Sequence, residues 1–187
     1  MMAVGAVLIL VAAGQCAAYL WEDQQAQAAS ENALSDLRDQ MGPNKTAVGW
    51  MDPNRAMDEV EIDGIAYVGT ISISSVDLDL PVASAFSYDV ILTAPARYSG
   101  SVYADDMVIL AHSYASHFAK LYNIAVGDEV VFTTVTGEMF SYVVTYCETV
   151  EPTQVDEMID PKGDWDLTLF TCTSSGSARW AVRCDRK

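Results

Sequence analysis

Cys172 closes the run Leu167-Thr168-Leu169-Phe170-Thr171-Cys172, and a small polar stretch, Thr173 to Ala178, follows it. Small polar neighbours leave a sulfur open to solvent and to a substrate. A thiol in that position, with a base or a cation beside it, is a nucleophile. A buried core thiol is the ordinary alternative, and these flanks are too polar for it. The base must come from one of the two histidines. His112 ends the apolar run Asp106–Ala111, and a strand end is where a rigid scaffold offers side chains to a cleft. His117 stands beside Phe118 in a helix-like stretch, where packing or capping is the simpler job. For the cation, Arg179 and Arg183 compete. The runs 167–172 and 179–186 are joined by residues 173–178 and read as antiparallel neighbours. Arg179 then falls near Cys172, whereas Arg183 lies roughly 13 Å further along the strand. Cys172, His112 and Arg179 together could attack an acyl carbon, move a proton and steady a developing oxyanion.

These three residues need a scaffold, and the chain from Gly64 onward supplies strands. Ile65–Ile73 is apolar on both faces near its start, and Asp77–Val82 alternates cleanly. Ser84–Pro95 reads as a short helix and loop, and Arg97–Gly100 as the approach to a turn. Asp106–Ala111 is a core strand, followed by a short helix over Ser116–Tyr122. Gly127 and Asp128 turn the chain into Val130–Val135, and Thr136-Gly137-Glu138 closes a hairpin into Met139–Val150. One helical turn is expected over 152–160, with Pro161-Lys162-Gly163 ending it. With 167–172 and 179–186 this makes about eight short strands and few helices, which predicts a mainly β fold, a closed or nearly closed barrel.

Residues 1–21 carry no charged side chain, and Val4–Leu20 is nearly all apolar. That length suits a transmembrane helix. A cleaved secretory leader is the alternative, with Ala26-Gln27-Ala28 as a weak cleavage site, and it lacks the usual basic start. The uncleaved anchor is preferred. Glu22 and Asp23 follow the run, and the first basic residue is Arg38, so nothing basic holds the following domain in the cytoplasm. Residues 22–63 read as a stalk and linker. Ala29, Ala33, Leu34 and Leu37 fall at helical spacing, Gly42-Pro43 stops the helix, and 44–63 shows no clear period. Residues 64–187 form the catalytic barrel.

A formal net charge of −16 repels phosphate backbones, so nucleic acid is excluded as a partner. Of the four cysteines, none lies in a Cys-x-x-Cys pair, and with only two histidines no zinc pattern emerges. No metal and no cofactor is assigned. Cys147 and Cys184 lie in strands and are either free thiols, the preferred reading, or a bridge. The histidine precedes the cysteine, opposite to the order in papain-like hydrolases.

Thr168-Leu169-Phe170-Thr171-Cys172 resembles the Thr-Leu-x-Thr-Cys signature of the sortases, membrane-anchored cysteine transpeptidases of Gram-positive bacteria. Ala111-His112-Ser113, His117-Phe118 with Leu121 and Gly127-Asp128, and Arg179-Trp180-Ala181-Val182 are similar to further sortase segments. The resemblance spans about residues 64–186. It implies a closed eight-stranded sortase barrel behind an N-terminal transmembrane anchor, with the catalytic domain outside the cell. It implies Cys172 as nucleophile, His112 as general acid and base, Arg179 as the oxyanion or substrate-positioning group and Thr171 as a substrate contact, its alternative being a satisfied strand hydroxyl. The implied partners are a secreted protein bearing a sorting signal and an amine of the cell-wall precursor or of a pilin. The rival functions are a secreted cysteine peptidase that only hydrolyses and a non-catalytic wall-binding barrel. The short loop 173–178 departs from some sortases, and the compact form with its His112–Phe118 segment looks closest to class B. Residues 83–105 and 151–165 are expected to shape the peptide groove.

Overall fold

A computed structural model describes residues 2–154, 159, 164–173 and 176–187, with side chains from Val7 onward. One helix, α1 (Met2–Gln40), precedes ten strands in a single sheet: β1 (Lys45–Thr46), β2 (Val60–Ile62), β3 (Ile65–Ile73), β4 (Leu78–Ala83), β5 (Ala96–Ser99), β6 (Met107–Leu110), β7 (Glu129–Thr134), β8 (Glu138–Val150), β9 (Leu167–Cys172) and β10 (Arg179–Arg186). Following the pairings from β8 through β10, β9, β6, β5, β4, β3 and β7 returns to β8. The expected eight-stranded closed barrel is therefore present, with β1 and β2 attached outside the ring. Closure leaves these eight strands no unpaired neighbour on either side. Short 3₁₀ turns cover Ser74–Val76, Val90–Leu92 and Phe118–Asn123. The helical turn expected near 152–163 falls largely outside the described residues.

Strand alternation sorts the apolar residues into two layers. Val68, Ile71, Ile109, Phe132, Phe140, Leu167, Leu169 and Val182 meet in one buried cluster, the barrel interior. Tyr67, Ala83, Ala96, Leu110, Phe170 and Ala181 join a second cluster on the outer wall, together with Ala33 and Leu37 of α1. This outer layer explains why β3 is apolar on both faces near its start. Gly69 sits where β3 approaches β7, and a Cβ there would lie 2.1 Å from the Thr133 carbonyl oxygen. Gly137, at φ 83°, closes the β7–β8 hairpin, and a Cβ on it would lie 2.3 Å from the Pro43 carbonyl oxygen. The chain leaving α1 thus runs tightly over that hairpin, where the Gly42 amide donates to the Val135 carbonyl at 2.9 Å.

Three features differ from expectation. The segment 44–63 carries two strands rather than a plain linker, because β1 and β2 pair with the ends of β8 and β3 that reach past their partners in the ring. Residues 96–99 form β5 rather than the approach to a turn, paired to β6 on one side and β4 on the other. The stalk does not stand free. Ala26, Ser30, Ala33 and Leu37 are buried at alternating steps of four and three, with Leu34 beside them, so one stripe of α1 packs on the barrel. Towards its start α1 exposes Val7 to Val11. Among the described residues no helix is long and apolar enough to cross a membrane.

Candidate active site

The geometry of the site follows from three adjacent strands. β6 and β9 run parallel, with Leu110 opposite Phe170. The Ala111 amide extends this ladder by donating to the Phe170 carbonyl at 3.3 Å. His112 follows Leu110 by two residues, just past the end of β6, and Cys172 follows Phe170 by two residues at the end of β9. On the other side of β9, β10 runs antiparallel and places Arg179 directly opposite Cys172. The sheet therefore brings Cys172 and Arg179 together at one end of the barrel, with His112 in the segment that leaves β6.

Cys172 and Arg179 line a groove of about 210 Å³ together with Phe86, Tyr98, Leu110 and Phe170. Tyr88, Ile91 and Pro152 complete it, so both stretches expected to shape the groove contribute, 83–105 most of all. The walls are aromatic: Phe86 meets Tyr98 at 5.8 Å between ring centroids, and Tyr98 meets Phe170 edge-on at 5.6 Å. Such a trough takes apolar side chains and is poor in groups that would hold a charged ligand. Arg179 Nη1 donates to the Gly176 and Ala178 carbonyls, at 3.3 and 3.1 Å, which orients the guanidinium at the groove's polar end.

His112 is half-buried beside this groove rather than among its lining residues. Its ring stacks on Tyr114 at 4.0 Å and 23°. Burial holds its pKa below the ordinary histidine value, while the Glu22 carboxylate of α1 pulls it back up. No hydrogen bond joins it to Cys172 among the described residues. His117 is different: it is wholly buried, and burial pushes its pKa down to about 4 against the opposing pull of Asp23. A neutral, sealed imidazole cannot exchange protons with a substrate in the groove. Arg183 is likewise sealed. It is 1% exposed, paired to Glu148 at 2.8 Å and donating to Thr168 Oγ1 at 3.0 Å, with its guanidinium 4.7 Å from the centre of the Trp165 ring.

Of the two readings of Thr171, substrate contact or satisfied strand hydroxyl, its surroundings favour the second, because alternation along β9 turns it to the face opposite Cys172. It is fully buried, and its hydroxyl donates to the Ala111 carbonyl at 2.9 Å. It ties β9 to the strand end that carries His112. Two other residues were not singled out from the sequence. Tyr122 donates its hydroxyl to the Cys172 carbonyl at 2.6 Å, and Trp180 Nε1 donates to the Leu121 carbonyl at 3.0 Å. These bonds join residues 50 and 59 positions apart, so no local pattern announces them. All four cysteines are free, and burial pushes the Cys147 and Cys184 thiols up, away from reactivity.

Residues 71–187 match the family model of the sortase domain, which is more than half of the chain. The chain belongs to the sortase family. It is thus an enzyme of the cysteine transpeptidase type. Solved sortases share its fold. Sortase A from Corynebacterium diphtheriae is 21% identical with a TM-score of 0.60, over 94% of this chain and 95% of that one. Sortase C1 from Streptococcus suis is 27% identical with a TM-score of 0.56, over 65% and 73%. The sortase D5 transpeptidase from Clostridium perfringens is 21% identical with a TM-score of 0.55, over 65% and 79%. These neighbours carry A, C and D designations and lend no support to the class B likeness. Among curated proteins none matches this sortase.

Proposed function

We propose that this sortase cleaves a sorting peptide of a secreted protein through a thioacyl enzyme on Cys172 and passes the acyl group to an amine of the cell-wall precursor or a pilin. The observation that carries the reading is the register of β9 and β10, which pairs Cys172 with Arg179 on an apolar groove, with His112 two residues past the end of β6, the strand beside β9. The peptide lies in that groove. The Cys172 thiolate attacks a backbone carbonyl carbon, the C–N bond breaks, and protonated His112 gives its proton to the departing amine. The incoming amine then attacks the thioester, His112 takes its proton, and the Cys172 thiolate leaves. Arg179 donates hydrogen bonds to the oxyanion in both steps. The barrel works outside the cell, and the exposed apolar start of α1 holds it at the membrane.

The test uses the full chain in detergent micelles with a library of sorting peptides, with and without an amine acceptor. The expected result is an amide product that depends on the amine. Cys172→Ala abolishes it, and Arg179→Ala lowers the rate by on the order of a hundredfold, as removing an oxyanion donor does. Release of free acid alone, whatever amine is offered, identifies a peptidase instead. For location, sedimentation of membranes washed in neutral buffer should retain the full chain and release a variant lacking residues 2–18. Equal release of both refutes the attachment.

A further inference from the structure

The segment that carries His112 is held from the barrel side by Thr171, whose hydroxyl reaches the Ala111 carbonyl. Its other side is held by α1. Asp23 Oδ1 accepts two hydrogen bonds from one residue, from the Ser116 amide at 3.0 Å and from the Ser116 hydroxyl at 2.7 Å. The Tyr19 hydroxyl donates to the Ser113 carbonyl at 3.1 Å. The Tyr19 ring also meets Tyr114 at 6.0 Å, and Tyr114 in turn stacks on His112 at 4.0 Å. Positions 19 and 23 continue the same stripe as the buried residues 26, 30, 33 and 37, so docking of the helix delivers both side chains to this segment. Residues 111–117 follow the end of β6 and precede the 3₁₀ turn; within them the backbone bond is His117 to Tyr114 at 3.0 Å, and the turn that follows adds Phe118 to His112 at 3.3 Å, Ala119 to Tyr114 at 3.2 Å and Lys120 to His117 at 3.4 Å. A short loop so tethered takes its position from what grips it on each side.

We propose that Asp23 and Tyr19 of the N-terminal helix are positioning residues for His112. They act through Ser116, Ser113 and Tyr114, and they make the helix part of the catalytic apparatus rather than a spacer. A carboxylate accepting an amide and a hydroxyl together fixes Ser116 in place. The stacked Tyr114 then fixes the plane of the imidazole, and proton transfer depends steeply on such placement. The proposal rests on the role of His112 given above, but its first measurement does not need substrate.

The chain has only two histidines, so the ring protons of each are resolved by NMR on the full chain in detergent micelles, with His112→Gln as the assignment control. The Tyr114 ring displaces the His112 Cε1 proton signal from its free position. In Asp23→Ala that signal should move towards the free position. In Asp23→Asn, whose side-chain oxygen can still accept both bonds, it should return. Tyr19→Phe, which removes one hydroxyl and keeps the ring, should give a smaller displacement and covers the case in which Asp23→Ala does not fold. In peptide turnover Asp23→Ala should lower kcat by about tenfold to a hundredfold with KM little changed, and Asp23→Asn should restore it. An unmoved His112 signal in both Asp23→Ala and Tyr19→Phe overturns the proposal, and so does failure of Asp23→Asn to restore it. If the wild type turns over no sorting peptide while the signals move as expected, the sorting-peptide reading fails and the clamp stands.

Discussion

Cys172 and Thr171 show how one step along a barrel strand changes what a side chain can do. Cys172 lines the outer groove, while Thr171 is fully buried and donates its hydroxyl to the Ala111 carbonyl. Thr171→Val should therefore cost about 1–2 kcal/mol of stability, the price of a lost hydrogen bond plus a buried carbonyl left short of a donor. Thr171→Ser should recover most of it, and urea denaturation midpoints of the three proteins check this. His112 itself is subject to opposing influences: burial disfavours its proton and the Glu22 carboxylate favours it. Glu22→Gln removes the favourable charge, so the His112 pKa should fall further and fewer rings carry a proton at a given pH. An NMR titration of the ring reads this. Because Glu22 is exposed, the gap between the two proteins should narrow as salt is added.

At the scale of elements, β10 carries two arginines with opposite fates. Arg179 lines the groove opposite Cys172, whereas Arg183 is enclosed by Glu148, Thr168 and Trp165. Arg183→Ala strands Glu148 without its partner and should cost about 3–5 kcal/mol. Arg179→Ala should leave stability within about 0.5 kcal/mol while lowering turnover about a hundredfold. Thermal unfolding set beside peptide turnover separates the two, and a stable, inactive Arg183→Ala would reverse the assignment. The four-residue offset between them was legible in the sequence, because a short loop between two strands fixes which end meets which. The docking of α1 was only half legible. The spacing of Ala33, Leu34 and Leu37 gives a helix with an apolar stripe, but a stripe does not name its partner. Its partner, the outer wall around Ile62, Tyr67 and Ala83, is assembled from residues 25 and more positions away.

Across the whole molecule, burial of His117 makes stability depend on acid. Its pKa is about 4 in the folded protein against an ordinary 6.5, so between these values the unfolded chain binds more protons. Stability should fall as pH drops from about 6.5 towards 4, by at most about 1.4 kcal/mol per pH unit from this group, and the contribution levels off below 4. His117→Gln should flatten that slope in urea melts run at several pH values. The sequence by itself determined the strand-rich barrel and the near pairing of Cys172 with Arg179. Each of these follows from local period or from a loop too short to allow an alternative. The tertiary structure decided which face Thr171 takes, that 44–63 supplies two edge strands, and that the N-terminal helix grips the segment carrying His112. Those outcomes rest on contacts between residues far apart in the chain, such as Asp23 with Ser116 and Tyr122 with Cys172. A contact of that kind leaves no mark on the spacing of residues along the chain, because neither partner's neighbours record where the other will arrive.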